Sequence, residues 1–122
     1  MAAQLVIADR QVGDVTIVDL RGRLVADEED VLFTGRIDAL LAAGRRNFVV
    51  NFENVTTVDS GGVGTLVAKY LSVRRRGGDI RLLKLTPRTR RVLEMTRLLD
   101  VFASFDSEEA AIRSFASDHA LA

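Results

Sequence analysis

The sequence predicts a single α/β domain on a mixed, mostly parallel sheet with an N-terminal antiparallel hairpin and about four helices. Three observations predict it. Short β-rich runs alternate along the chain with stretches of helical apolar spacing, the order expected when helices cross over between parallel strands. The first two β-rich runs are separated only by Gly13 and Asp14, as in a hairpin. Finally, 122 residues, nearly half of them apolar, suit one core and leave little room for a second.

Taken in order, Leu5 to Ala8 and Val15 to Leu20 form the hairpin, and Leu24 and Val25 extend the sheet after Gly22. The acidic block Asp27, Glu28, Glu29 and Asp30 then opens a helix, with Asp27 as N-cap and the carboxylates complementing the helix dipole. Phe33, Ile37, Leu40 and Leu41 give that helix one apolar face, and Gly44 ends it before Arg45 and Arg46. Phe48 to Phe52 reads as a central strand buried on both faces, and Glu53 to Ser60 as a loop. In the second helix Val63, Leu66, Val67, Tyr70 and Leu71 form the core face, and Arg74, Arg75 and Arg76 fall in the last turn before Gly77 and Gly78. Cations followed by glycine are ordinary at a helix C-terminus, which favours a structural role for this triplet over nucleic-acid binding. Ile80 to Leu85 is the next strand. Thr86 caps a third helix with Pro87 at its first position; this helix carries Val92, Leu93 and Met95 and ends near Leu99. Val101 to Phe105 forms a last strand, and Ser107 caps a final helix through Ile112 and Phe115. One domain therefore spans 1–122, with an ordered core of about 4–117 and a flexible tail at 118–122.

Composition excludes several function classes. Basic and acidic residues both number 17, so the chain lacks the excess of cations that nucleic-acid binding or polybasic membrane attachment requires. There is no cysteine, and the single histidine, His119, lies in the polar tail, which removes thiolate or His-rich metal sites and His-dependent triads. No signal peptide or spanning segment is visible, so the expected location is the cytoplasm.

The informative segment is Val58-Asp59-Ser60-Gly61-Gly62-Val63-Gly64, between a buried strand and a helix. A P-loop would need a lysine that Gly64-Thr65-Leu66 lacks. A nucleophile elbow would need glycine where Val58 stands, and the dinucleotide fingerprint has another glycine spacing. What remains is Ser60 at or near a helix N-cap, preceded by a carboxylate and followed by glycines. Such a serine caps the helix, and its hydroxyl on a Gly-rich turn can also enter a kinase active site. Opposite the core face, helical spacing puts Thr65, Lys69 and Ser72 outward, so a partner reading this turn would contact Asp59, Ser60, Gly61 and Gly62 together with these three.

The sequence resembles STAS domains, and especially the bacterial anti-sigma-factor antagonists. The matching stretches are Val18-Asp19-Leu20-Arg21-Gly22-Arg23-Leu24, Leu40-Leu41-Ala42-Ala43-Gly44, Phe48-Val49-Val50-Asn51-Phe52 and Val55 to Gly64. They continue through Leu82-Leu83-Lys84-Leu85-Thr86-Pro87, Val92-Leu93, Leu98 to Phe102 and Phe105 to Ala111, in order over nearly the whole chain. The resemblance implies a non-enzymatic partner switch without cofactor or metal. In such systems the unphosphorylated antagonist binds an anti-sigma factor that is also a serine kinase of the histidine-kinase-like ATPase class, and so releases a sigma factor. The kinase phosphorylates the serine of the Asp-Ser loop and a metal-dependent serine phosphatase reverses this. Carried onto this chain, Ser60 is the phosphoacceptor and Asp59 its neighbour in the recognition loop. Many relatives have a second hydroxyl residue where Gly61 stands, and often Asp where Asn51 stands. Related domains also serve in stress-sensing assemblies, as regulators of lipid-transport ATPases and as tails of anion transporters; a small serine-dependent enzyme using Ser60 is the alternative from a different class.

Overall fold

A computed structural model describes residues 5–25 and 28–120. The elements run β1 (Leu5–Val12), β2 (Val15–Leu24), α1 (Glu28–Ala42), β3 (Asn47–Val58), α2 (Ser60–Arg75), β4 (Asp79–Leu83), α3 (Pro87–Met95), β5 (Ser104–Phe105) and α4 (Glu108–Ala120). The strands lie side by side in sequence order, with β1 antiparallel to β2 and every later pairing parallel. The mixed sheet and the four helices are those expected.

Helices cover both faces of the sheet. Phe33, Ile37 and Leu41 of α1, Val63, Leu66 and Val73 of α2 and Leu93 of α3 pack with Val18, Leu20, Phe48, Val50, Phe52 and Leu82 into the larger core. On the opposite face Ala111 and Phe115 of α4 cover Val15, Ile17, Val49 and Leu83. Consecutive side chains of a strand point to opposite faces, so β3 feeds both cores: Phe48, Val49 and Val50 are all fully buried. As expected, the hairpin turns through Gly13 at φ +60° and α1 stops at Gly44 at φ +94°, a conformation that glycine adopts without steric cost. Asp27, the expected cap of α1, lies outside the described residues. Thr86 caps α3 through the Thr89 amide ahead of Pro87, and Ser107 accepts from the Ala110 amide at 3.0 Å.

Three expectations are corrected. The stretch read as a loop after Phe52 is strand as far as Val58, because β2, with two register shifts, continues to pair with it beyond the end of β4. Helix α3 ends at Met95 rather than near Leu99: Arg97 turns the chain at φ +60° and the Leu98 amide bonds back to the Leu93 carbonyl at 2.8 Å. Met95 is thereby left 78% exposed. Finally, only Ser104 and Phe105 of the expected last strand pair with β4; Val101 and Phe102 form a turn that drives the Phe102 ring into the core against Tyr70.

The unshared edge of β1 is held by charge on both sides of the sheet. Arg36 of α1 pairs with Asp9 and reaches the Ile7 carbonyl. Arg10 pairs with Asp19 on β2 and Glu108 at the start of α4.

Candidate functional site

The Asp-Ser-Gly-Gly turn forms the entrance to α2. Asp59 is the N-cap: its backbone is extended, at φ −107° and ψ −178°, and its carboxylate accepts from the Gly62 amide at 2.8 Å. Its carbonyl accepts the first helical bond, from the Val63 amide at 2.9 Å. Ser60 is therefore the first residue of the helix and not its cap, a correction of one position. The consequence is chemical. Capping is done by Asp59, so the Ser60 hydroxyl is not needed for it, and both residues are exposed.

The turn is pinned from below. The Asp59 amide bonds to the Leu24 carbonyl at the end of β2, at 3.4 Å, and Gly62 lies so close to that carbonyl that any Cβ would overlap it. Gly62 is thus required for contact with β2 rather than for flexibility. Gly64, by contrast, has open space where a side chain would go. The first-turn amides of α2 lie at the positive end of the helix dipole, and no acidic residue sits in that turn.

Of the remaining expected contact residues, Lys69 and Ser72 lie along the seam with α1. Thr65 is half-buried and donates to the Gly61 carbonyl at 3.1 Å. Lys69 crosses to Asp38 of α1 at 2.9 Å, and its side chain is only 12% exposed. Ser72 is half-buried and donates to the Ala68 carbonyl. Between its ends, the exposed positions of α2 are instead Gly64, Ala68 and Leu71. Leu71, expected in the core, is 47% exposed; Tyr70 beside it packs edge-on against Phe102 with ring centroids 4.9 Å apart.

A polar cluster on the other face of the sheet had no counterpart among the expectations. Arg10 donates to Glu108 and Asp19, and Asn51 on β3 donates to Asp19 at 2.9 Å, so β1, β2, β3 and α4 meet through these four residues. Burial raises the pKa of Asp19, but the bonds from Arg10 and Asn51 outweigh it and hold the carboxyl below its ordinary range. The hydrogen bonds from Arg10 lower Glu108 against a smaller effect of burial, and those carboxylates in turn raise Arg10. With Arg10 and Glu108 far apart in the chain, no local pattern announces the cluster. Among the described residues no group of three His, Cys, Asp or Glu is placed to hold a metal ion, and no helix is long and apolar enough to cross a membrane.

Known proteins are similar to this chain in sequence and in shape. An anti-sigma F factor antagonist of Paenibacillus polymyxa is 26% identical over 98 residues, covering 80% of this chain and 84% of that protein. Among solved structures, the candidate anti-sigma factor antagonist TM1081 of Thermotoga maritima superimposes with a TM-score of 0.82 at 25% identity, covering 88% of this chain and 92% of the other. The Bacillus cell fate determinant SpoIIAA in its phosphorylated form gives a TM-score of 0.70 at 22% identity, covering 89% and 99%. The family model of the STAS domain matches residues 7–111, which takes in all of the sheet but Leu5 and Val6, the Ser60 turn and the start of α4: the chain belongs to the STAS domain family.

Proposed function

We propose that this protein is an anti-sigma-factor antagonist switched by phosphorylation of Ser60. Unphosphorylated, it binds an anti-sigma factor that is also a serine kinase of the histidine-kinase-like ATPase class and so frees a sigma factor; phosphorylated, it lets go until a serine phosphatase restores it. The observation that carries this reading is the exposed Ser60 at the first position of α2, with its capping duty taken over by Asp59. Two similarities support it: the Paenibacillus polymyxa relative is an anti-sigma F factor antagonist, and SpoIIAA exists in a phosphorylated form.

The physical chemistry suits a switch of partner rather than of shape. A phosphate on Ser60 adds about −1.5 to −2 charges at neutral pH. At a helix N-terminus that charge is favoured by roughly 1 kcal/mol, so the domain keeps its fold. Buried under a partner, the same charge loses its water; a cost of about 3 kcal/mol lowers affinity by roughly two orders of magnitude. The partner contacts Asp59, Ser60, Gly61 and Gly62 and continues along α2 through Thr65, Lys69 and Ser72. Gly61 leaves Ser60 as the sole acceptor in the turn.

The test is a kinase assay with the cognate anti-sigma factor and ATP, followed by phosphopeptide mapping. Phosphate is expected on Ser60. A major site elsewhere, with Ser60 unmodified, removes the assignment. In parallel, Ser60→Asp is expected to lose the kinase in an affinity pull-down that wild type passes.

A further inference from the structure

At the far end of α2, about 22 Å from Ser60 at ~1.5 Å per residue, five arginines meet. Arg45 and Arg46 follow α1, and Arg74, Arg75 and Arg76 close α2. The two turns are joined by the backbone, the Asp79 amide bonding to the Arg46 carbonyl at 3.1 Å. Between the helices lies a concavity of about 220 Å³ lined by Asp38, Leu41, Ser72, Arg75 and Arg76.

Cations at a helix C-terminus commonly bond its last carbonyls, but among the described residues, of these five guanidinium groups only that of Arg46 bonds main chain, at the Leu41 and Arg45 carbonyls. The nearby carboxylates are already engaged. Asp38 is held by Lys69, while Asp79 serves Arg74 and Arg81 and accepts from the Ile80 amide. Among the described residues no carboxylate pairs with Arg45, Arg75 or Arg76, and all three are exposed. On a chain of zero net charge this is a local surplus of guanidinium groups beside a concave floor.

We propose that this end of the α1–α2 layer docks an acidic segment of a partner protein, carboxylates meeting Arg75 and Arg76 and an apolar side chain resting on Leu41. Charge complementarity sets the sign of the occupant. The Asp38 carboxylate in the wall opposes a phosphate backbone with its dense, uniform charge, whereas a peptide can place a neutral residue there. The nearest aromatic side chain of α2, Tyr70, is packed on Phe102 rather than offered for base stacking. The surface is separate from the Ser60 turn but shares Ser72 with the contact proposed for the kinase.

The experiment is a titration of the isotopically labelled chain with a synthetic peptide of alternating glutamate and leucine, read by amide chemical shifts. Saturable shifts are expected at Leu41, Ser72, Arg75 and Arg76 and not at the Ser60 turn. Arg75→Glu with Arg76→Glu is expected to weaken binding at least about tenfold, and the control pair Arg91→Glu with Arg97→Glu on the α3 side to leave it within about twofold. Should the reversed pair not fold, Arg75→Gln with Arg76→Gln is expected to show the same loss in smaller measure. Three results overturn the proposal: no saturable shifts, equal loss in the control pair, or tighter binding of a DNA duplex at the same residues.

Discussion

At each end of α2 a glycine rests against a carbonyl of the neighbouring connection, Gly62 against Leu24 and Gly78 against Arg46. At each end a main-chain amide bonds the same carbonyl, from Asp59 and from Asp79. The backbone device is the same, but the side chains around it differ. Short polar groups, Asp59 and Ser60, stand exposed at the entrance, and long cations at the exit. In the sequence, glycines beside a serine resemble a functional motif and glycines beside arginines resemble a helix stop. In the structure Gly62 and Gly78 meet one requirement, close approach of two backbones, and the distinction between the ends lies in what the neighbouring side chains are free to do.

The largest expected effects test that equivalence. Gly78→Ala and Gly62→Ala each place a methyl group inside a carbonyl's contact distance, and each is expected to lower stability by about 2–3 kcal/mol, measured by urea unfolding. The comparison is sharpened by phosphorylation of the folded fraction. Gly62→Ala is expected to slow modification of Ser60, because the turn must shift, and Gly78→Ala to leave it unchanged. If Gly62→Ala were as stable as wild type, Leu24 would not be what holds the turn.

Next is the cap. Asp59→Ala is expected to cost about 1 kcal/mol, since it leaves the Gly62 amide without its side-chain acceptor. A smaller effect is expected away from both ends, at the Arg10 cluster. Asp19 and Glu108 are held below their ordinary values of 3.8 and 4.5, so their contribution is present above those values and is lost as pH falls through the lower, folded ones. Urea midpoints measured from pH 6 down to pH 3 are expected to fall more steeply for wild type than for Arg10→Met; parallel curves would show that the cluster does not contribute. These groups are partly exposed, so the difference is expected to stay under about 1 kcal/mol. The smallest effect is that of Ser60→Ala. As the first helical residue rather than the cap, Ser60 is expected to change stability by less than about 0.5 kcal/mol while removing the phosphoacceptor. A loss as large as that of Asp59→Ala would return the capping role to the serine.

The helix at Val63 is legible because its side chains repeat with the helical period, and the strand at Phe48 because it is a short apolar run fit for burial on both faces. The register of the cap was not: aspartate and serine are both favoured N-caps, and adjacent in sequence either can serve. Leu71 was misplaced because it lies five residues after Leu66, about 140° round the helix, where apolar content alone does not show which side faces the sheet. Lys69 lies on the flank that α1 happens to occupy, a fact of tertiary packing. The end of α3 was hidden because Arg97, not a glycine, takes the left-handed turn. Strand β3 reads short in the sequence because Glu53, Asn54, Thr56 and Thr57 break its apolar run, and the pairing that extends it comes from β2, far away in sequence.

The charges on β1 carry a consequence for life in concentrated solution. Of the two sheet borders, β5 offers only two residues to a stray strand, while β1 offers eight. An open strand of that length is a template on which other chains can stack into fibrils. Asp9 and Arg10 interrupt that template with opposite charges, each tied to its own side of the sheet, by Arg36 on one and by Asp19 and Glu108 on the other. A chain adding itself to this border would have to strip those groups of water or pull them from their partners, so the ion pairs that fasten the hairpin also protect the protein against aggregation.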